Sequence, residues 1–289
     1  MCSYKEQAAD SMAFTKSSIL PYNTLPSLSH LTYKDYNNIY EPREDSYLLL
    51  DVLKHQYGNP ASPGFARHTP SRVVEVGCGS GIISVGLGML LSAQLPSVEI
   101  TMTDINSHAI SASKQTVANN QTTLSSSTQF TFELADITAA TPPPTPSTDI
   151  IIFNPPYVPT PTEEVFLPSR FPLSTTAAAA ADTCCVGDVI SAAWAGGVDG
   201  MEVTNVALPI LKRSLTPATG SLFLVVVDDN RPRLICDWWV RGGPPPEMTE
   251  LVETKVENAI DMPPGGGFEV VGRRQAKNEF LSIIRLYSL

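Results

Sequence analysis

A short apolar run followed by three glycines at alternate positions, Arg72-Val73-Val74-Glu75-Val76-Gly77-Cys78-Gly79-Ser80-Gly81, indicates the architecture of the chain. Residues 72–76 predict a buried strand, and the pattern from Ile82 to Leu95 predicts a helix directly after the loop. Glycines let the backbone turn tightly and approach a ligand closely. The N-terminus of the following helix favours a negative group. The stretch predicts a strand–loop–helix unit with a ligand at the loop, although taken alone it also fits a plain tight turn.

The glycine spacing narrows the choice of ligand. Ile82 occupies the place of the third glycine in the dinucleotide pattern G-x-G-x-x-G, so the chain has G-x-G-x-G instead. This spacing favours the methionine end of a sulfonium cofactor over a pyrophosphate.

Strand and helix patterns alternate on both sides of this unit. A helix is predicted from Pro42 to Tyr57, before a loop from Gly58 to Pro70. The further predicted strands are Val98–Thr103, Thr128–Leu134, Asp149–Phe153, Ser221–Val227, and two near the end that begin at Phe268 and Phe280, with helices at Ser107–Asn119 and around Val203–Leu211. This alternation predicts an α/β fold with a doubly wound, seven-stranded, mostly parallel sheet of the Rossmann-like kind, with one of the last two strands antiparallel.

The composition divides the chain into an extension and one domain. Residues 1–37 are polar and aromatic without a clear period and predict an N-terminal extension, and residues 38–289 predict the domain. Two stretches rich in small residues, near 166–188 and 241–267, predict surface insertions. The first has few large apolar residues, so we expect it to be mobile without substrate.

Charge and cysteine usage exclude several classes of protein. The formal net charge is −10, which disfavours a nucleic-acid clamp because such binding depends on cationic contacts to phosphate. Five cysteines without a CxxC spacing, and four histidines without a ligand pattern, predict no disulfide framework and no metal site. No apolar run reaches membrane-spanning length and no secretory signal is recognised. The sequence therefore predicts a cytoplasmic protein, with a nuclear pool also compatible.

Carboxylates follow two of the predicted strands. Asp104 ends the second strand, where it would accept hydrogen bonds from both hydroxyls of a ribose. Asp136 follows the third strand, where it would accept from an adenine amino group. A helix N-cap or a solvated loop acid is the alternative for each.

The motif Asn154-Pro155-Pro156-Tyr157 follows the apolar fourth strand. Its two prolines restrict the backbone and remove two N–H donors. We expect a planar NH2 group to donate to the Asn154 side-chain oxygen and the Pro155 carbonyl, with its π face against Tyr157. The alternative is a rigid turn with an aromatic plug.

Together these motifs resemble those of class I methyltransferases, and more narrowly the HemK-like glutamine methyltransferases of class I peptide release factors. Two segments, Tyr40–Ser46 and Ala192–Glu202, resemble the eukaryotic and archaeal branch, as does the end from Arg274 to Ser282. The resemblance covers about Tyr40 to Leu289 and departs from the family at the two insertions.

The resemblance implies S-adenosylmethionine as cofactor, with S-adenosylhomocysteine as product. Its cofactor contacts fall on Ser46, Glu75, Gly77, Asp104, Asp136, Ile137 and Asn154, and its catalytic and substrate contacts on Asn154, Pro155, Pro156 and Tyr157. Ser46 would lie near the methionine carboxylate, and it also fits an N-cap of the first helix.

The resemblance also implies the reaction, which is transfer of a methyl group to the side-chain amide nitrogen of the glutamine in a release factor's Gly-Gly-Gln loop. From the residues alone, the acceptor is only a planar NH2 group. An adenine N6-methyltransferase on nucleic acid, a protein lysine methyltransferase and a cofactor-binding scaffold without turnover remain the alternatives.

A partner is predicted at the third strand, Thr128–Leu134, which this fold places at one edge of the sheet. The strand has no proline or lysine to protect that edge. The resemblance implies a small zinc-binding activator subunit, and we expect a heterodimer formed through this edge. A proline at Thr131 is expected to disrupt it more than the fold. The alternative is an edge covered by the chain's own N-terminal extension.

Overall fold

The computed structural model describes residues 25–139, 147–165, 190–242, 267–277 and 279–287. The predicted insertion 166–188 lies outside the described residues, as does 243–266 of the second one. The division into an extension and one domain therefore stays a prediction.

A single mixed sheet forms the centre of the described chain, with the strand order β3-β2-β1-β4-β5-β7-β6. Strands β1 to β5 run parallel, and β7 is antiparallel to both β5 and β6. The strands are β1 Arg72–Val76, β2 Val98–Asp104, β3 Thr128–Leu134, β4 Ile150–Phe153, β5 Ser221–Val227, β6 Phe268–Ala276 and β7 Glu279–Tyr287. The predicted seven-stranded, mostly parallel α/β fold is confirmed.

Helices cover both faces of this sheet. They are α1 Glu44–Tyr57, α2 Pro63–Arg67, α3 Ile82–Ser92, α4 Ser107–Asn119, α5 Glu202–Ser214 and α6 Pro232–Arg241. Along β5 every residue is buried, and alternate side chains enter opposite layers. Phe223 and Val225 pack in the core layer that contains residues of α1 and α3. Leu222 and Leu224 pack in the layer that contains residues of α5 and α6. The sheet is therefore doubly wound.

Two predicted helix bounds were wrong. Helix α1 begins at Glu44 rather than Pro42, because the backbone of Arg43 is extended (φ −130°, ψ −160°). Helix α3 ends at Ser92, three residues before the predicted end. Two helices were not predicted. Helix α2 lies within the stretch assigned to a loop, and Phe65 packs edge-on against Tyr57.

Helix α6 is the larger omission. It follows Arg231, whose backbone is left-handed (φ 51°), and it has a proline in its first turn. Its apolar face, which includes Ile235, Trp238 and Trp239, is buried in the core. The spacing of these apolar residues is helical, and it was the signal available in the sequence.

The described end of the predicted extension packs against the domain. Leu25 and Leu28 contact the core, and Ser27 N donates to Asn120 Oδ1 at 2.8 Å, at the end of α4. Residues 25–37 thus lie against the α3–α4 side of the molecule. Within the described chain, β2 is the strand that pairs with β3.

Candidate active site

One large cavity opens at the carboxyl ends of β1, β2 and β4, where parallel α/β sheets bind their ligands. Its volume is about 1100 Å³, including the space open to solvent. The structure brings together here all the residues predicted to contact the cofactor, namely Ser46, Glu75, Gly77, Asp104, Asp136, Ile137 and Asn154.

The glycine loop after β1 forms one wall of the cavity. Gly77, Gly79 and Gly81 all have positive φ angles of 74°, 51° and 80°, a region that other residues rarely adopt. A Cβ on Gly81 would lie 2.9 Å from the Ser113 Cβ, so α4 packs directly on the loop. A Cβ on Gly79 would meet no atom within 4 Å. The loop therefore leaves its backbone exposed to the cavity.

Asp104 holds this loop in place from the end of β2. Its Oδ2 accepts from Gly79 N at 2.9 Å and its Oδ1 from Asn106 N at 2.8 Å. The N-cap of α4 is Asn106, which accepts from His108 N, so the N-cap alternative for Asp104 is wrong. Burial raises the pKa of Asp104, while these backbone donors lower it. Each carboxylate oxygen keeps accepting capacity for a ligand hydroxyl.

Asp136 and Ile137 line the cavity beyond the end of β3. Asp136 Oδ1 accepts from both the backbone N (2.8 Å) and the hydroxyl (2.7 Å) of Thr138, which orients the carboxylate. Ile137 is partly buried and packs against the apolar core. The pair offers an acceptor beside an apolar surface, which suits a purine ring.

Ser46 lies in the first turn of α1 and is almost fully buried. The N-cap of the helix is Arg43, so the N-cap alternative for Ser46 is wrong. The Ser46 hydroxyl and backbone N both contact Asp45 Oδ1.

Glu75 is buried below the loop, with 2% of its surface exposed. Its Oε2 accepts from Ser84 N at 3.0 Å. Burial raises the pKa of Glu75 to about 8, and the nearby Asp104 carboxylate adds to the shift. The side chain thus retains its proton near neutral pH in the free protein, and a cationic ligand would favour the charged form.

We therefore expect the free energy of unfolding to fall as pH rises from about 5 to 8. A carboxyl with a raised folded-state pKa stabilises the protein below its unfolded pKa and loses this contribution as pH rises through the folded pKa, at up to ~1.4 kcal/mol per pH unit. The neutral variant Glu75→Gln should show a flatter dependence. Urea unfolding of both proteins at pH 5.5 and pH 8 measures this. Identical pH dependence in the two proteins would show that Glu75 does not titrate as described.

The motif after β4 lies between two cavities. Asn154 and Pro156 line the large cavity. Tyr157 lines a second one of about 450 Å³, together with Asp45, Lys277 and Glu279. Pro155 is buried in the turn between them and is not part of either lining in the described chain.

The backbone of this motif is held from behind by residues that sequence reasoning did not assign. Asn230 Nδ2 donates to Tyr157 O and to Asp199 O, both at 2.9 Å. Gly200 (φ 69°) packs so closely that a Cβ there would lie 1.9 Å from Tyr157 O. A Cβ on Gly196 would likewise lie 2.4 Å from Pro156 O, so Gly196 and Gly200 are required by close approach to the motif.

Asn154 presents one unsatisfied group. Its Oδ1 is buried and has no hydrogen-bond partner within the described residues. Its Nδ2 donates to Asp45 Oδ2 at 3.0 Å. A buried acceptor without a partner is costly, so a ligand N–H at this position would be stabilised.

Asp45 is a further residue of the site that sequence reasoning missed. It lies in the segment 40–46, whose resemblance was noted without a role for this residue. Tyr40, Asn154 and Tyr157 all donate to Asp45 Oδ2, at 3.0, 3.0 and 3.3 Å. A chain separation of 109 residues from Asn154 hid this contact from any local pattern.

The described residues contain neither a helix long and apolar enough to cross a membrane nor a cluster of histidine, cysteine and acidic side chains that fits a metal ion.

The residues of the large cavity fit S-adenosylmethionine. The glycine loop leaves space for a ligand next to its backbone. Asp104 and Asp136 supply hydrogen-bond acceptors at successive strand ends. Asn154 Oδ1 has no hydrogen-bond donor among the described residues. Fold and site together define a class I S-adenosylmethionine-dependent methyltransferase. A family model described as the methyltransferase small domain matches residues 46–175.

Sequence relatives agree with this class. The chain is 33% identical over 269 residues to the eRF1 methyltransferase catalytic subunit mtq2 of Schizosaccharomyces pombe, covering 91% of this chain and 95% of that one. It is 29% identical over 211 residues to the human methyltransferase HEMK2, covering 73% and 81%. The chain belongs to the HemK-like methyltransferase family of these proteins.

Solved structures include a similar chain in the Mtq2–Trm112 complex of E. cuniculi, at 20% identity and a TM-score of 0.48 over 87% of this chain and 99% of that one.

Proposed function

We propose that this methyltransferase modifies the side-chain amide nitrogen of a glutamine in a class I peptide release factor. The observation that carries the proposal is the buried, unpartnered Oδ1 of Asn154, a residue that lines the cofactor cavity. The relative at 33% identity is named as an eRF1 methyltransferase, which supports a release factor as substrate. Such a substrate would be met in the cytoplasm, and a nuclear pool stays a prediction.

The site residues would act mainly by orientation. Bound S-adenosylmethionine supplies a methyl group activated by a sulfonium. Asn154 Oδ1 would accept one N–H of the glutamine amide. The Pro155 carbonyl is proposed to accept the other, which requires the turn to open when the substrate binds, because Pro155 lines neither cavity. These contacts would hold the nitrogen in line with the methyl group. Transfer would form the N–C bond as the C–S bond breaks, with S-adenosylhomocysteine as the leaving group and the amide proton released to water. Positioning of this kind supplies roughly 7–11 kcal/mol in well-oriented systems.

A planar NH2 group fits this arrangement better than an ammonium group. Asn154 would provide an acceptor in the plane, and the face of the Tyr157 ring, three residues further on, is proposed to lie against the group. Adenine in nucleic acid has the same NH2 geometry, but the net charge of −10 opposes binding to phosphates. Methyl transfer to purified release factor, with the modified peptide mapped by mass spectrometry, tests the proposal. Modification of a lysine instead of the glutamine would overturn it.

We also propose a heterodimer with a small zinc-binding activator subunit, formed through the edge strand β3. The strand lies at the end of the sheet, and Leu134 is 58% exposed. A second chain can pair with such an edge through its outward backbone groups. The metal site would then belong to the partner.

The register of β3 shows which variant tests this interface. Ala135 N donates to Asp104 O and Ser127 O accepts from Val98 N, both within the sheet. Because backbone groups alternate in direction along a strand, Thr131 N–H also points towards β2. The proline at Thr131 that the sequence suggested would therefore break the protein's own ladder, and that choice was wrong. Leu134 N–H points outward.

We expect Leu134→Pro to prevent heterodimer formation while leaving the thermal unfolding midpoint of the isolated chain nearly unchanged. Proline is tolerated on an edge strand where its missing N–H would face solvent. Leu134→Ala, which keeps the N–H, is the matched control and should reduce binding less. Co-expression with the activator followed by size-exclusion chromatography measures both. A wild-type yield of heterodimer from the proline variant would exclude this edge.

A further inference from the structure

Asp45 is a buried carboxylate between the two cavities. It lies in the first turn of α1 with 2% of its surface exposed. One oxygen, Oδ1, accepts from Ser46 N and from the Ser46 hydroxyl, at 2.6 and 3.2 Å. The other, Oδ2, accepts from Tyr40, Asn154 and Tyr157. The carboxylate thus joins the cofactor side of the site to the acceptor motif.

The chemistry of these groups determines which way the Asn154 side chain faces. An ionised carboxylate only accepts hydrogen bonds, whereas an asparagine amide has one accepting and one donating end. The NH2 end must therefore face Asp45, and the oxygen end must face away from it. Rotating the amide by a half turn would place Asn154 Oδ1 against the carboxylate and lose the bond of 3.0 Å.

The two tyrosines keep this arrangement over the physiological pH range. Burial and the Asp45 charge raise the pKa of Tyr157, and the same two causes raise the pKa of Tyr40. Both hydroxyls therefore stay protonated and donate to Asp45. Three donors therefore converge on one oxygen of this buried carboxylate.

We infer that Asp45 is a positioning residue, which fixes the Asn154 amide so that Oδ1 faces the acceptor nitrogen. It acts through Asn154 and does not touch the reacting atoms. A hydrogen bond to a charged group also polarises the amide, which makes Oδ1 a stronger acceptor as positive charge develops on the nitrogen. The inference rests on the proposed function in one respect, which is that the methyl-accepting nitrogen belongs to a planar amide.

The isosteric variant Asp45→Asn removes the charge and lets either end of the Asn154 amide face position 45. We expect kcat on release factor, measured with the activator present, to fall about 10- to 100-fold, as for loss of a hydrogen bond to a charged group. The dissociation constant for S-adenosylhomocysteine should change less than about threefold, since the cofactor contacts remain. Tyr40→Phe removes one donor and keeps the carboxylate, and it should cost much less.

Two readouts separate positioning from a merely structural role. In a double-mutant cycle, Asp45→Asn should cost little in the Asn154→Ala background, because the residue through which it acts is gone. In the free protein, NMR should show slowly exchanging Asn154 side-chain amide hydrogens in the wild type and in Tyr40→Phe, and fast exchange in Asp45→Asn.

These readouts distinguish failure of the inference from failure of the proposed substrate. Unchanged amide exchange in Asp45→Asn, or additive effects in the cycle, would overturn the positioning role. If the wild type does not modify release factor but amide protection is lost in Asp45→Asn, the positioning role stands and the substrate is wrong. If Asp45→Asn does not fold, amide exchange in Asp45→Glu decides: wild-type protection there, where the carboxylate is displaced by one methylene, would contradict the role.

Discussion

Replacing Asn154 with alanine is expected to lower turnover on release factor by about 10²-fold or more, in a protein that remains folded. Asn154 Oδ1 is the unpartnered acceptor at the cavity, and its loss leaves the acceptor amide without in-plane orientation. Removal of one preorganised hydrogen-bonding group from an active site typically costs about 10²–10³ in kcat. Initial rates with labelled cofactor measure the effect.

The control for this variant is Gln121→Ala, which removes an exposed amide distant in sequence from the motif and should leave turnover unchanged. Cofactor affinity of Asn154→Ala, measured by calorimetry, should change much less than turnover. Turnover near the wild-type rate would refute the orienting role of Asn154.

Replacing Asp104 with alanine is expected to weaken S-adenosylmethionine binding at least tenfold. The carboxylate is proposed to accept from the ribose hydroxyls, and hydrogen bonds to a charged acceptor contribute about 1.5–3 kcal/mol each. Asp104 also accepts from Gly79 N, so the variant loses a restraint on the glycine loop as well. Both losses act in the same direction on affinity.

Glu99→Ala is the matched control for Asp104→Ala, because it removes an exposed acid from the start of the same strand. It should bind the cofactor as the wild type does. Calorimetry on both variants, with circular dichroism to confirm folding, makes the comparison. An unchanged dissociation constant in folded Asp104→Ala would remove Asp104 from the cofactor site.

The sheet could be predicted because its strands can be recognised from their own apolar residues. The all-buried strand β5 reads as a continuous apolar run, and the alternation of strands and helices predicts a parallel sheet. The strand-end residues Glu75, Asp104 and Asn154 follow from the same topology, since the carboxyl ends of parallel strands meet at one edge. Helix α6 was not predicted, although the apolar spacing from Ile235 to Trp239 is helical.

The supporting contacts of the site could not be predicted in the same way. Asp45 and Asn230 contact the acceptor motif across 109 and 73 residues of chain, and no local spacing records such distances. The direction in which Thr131 N–H points depends on the hydrogen-bond register between β2 and β3, which only the paired strands define. A strand can be recognised from its composition, but the composition does not show which of its backbone N–H groups point away from the sheet.

The most direct test of the methyltransferase assignment and its substrate is methyl transfer from labelled S-adenosylmethionine in one reaction that contains the activator subunit, purified release factor and naked DNA. We expect label in the release factor alone, on the amide nitrogen of the glutamine in its Gly-Gly-Gln loop, and none in a release factor whose glutamine there is replaced. Label in adenine of the DNA, or equal label in the replaced release factor, would contradict the proposed function.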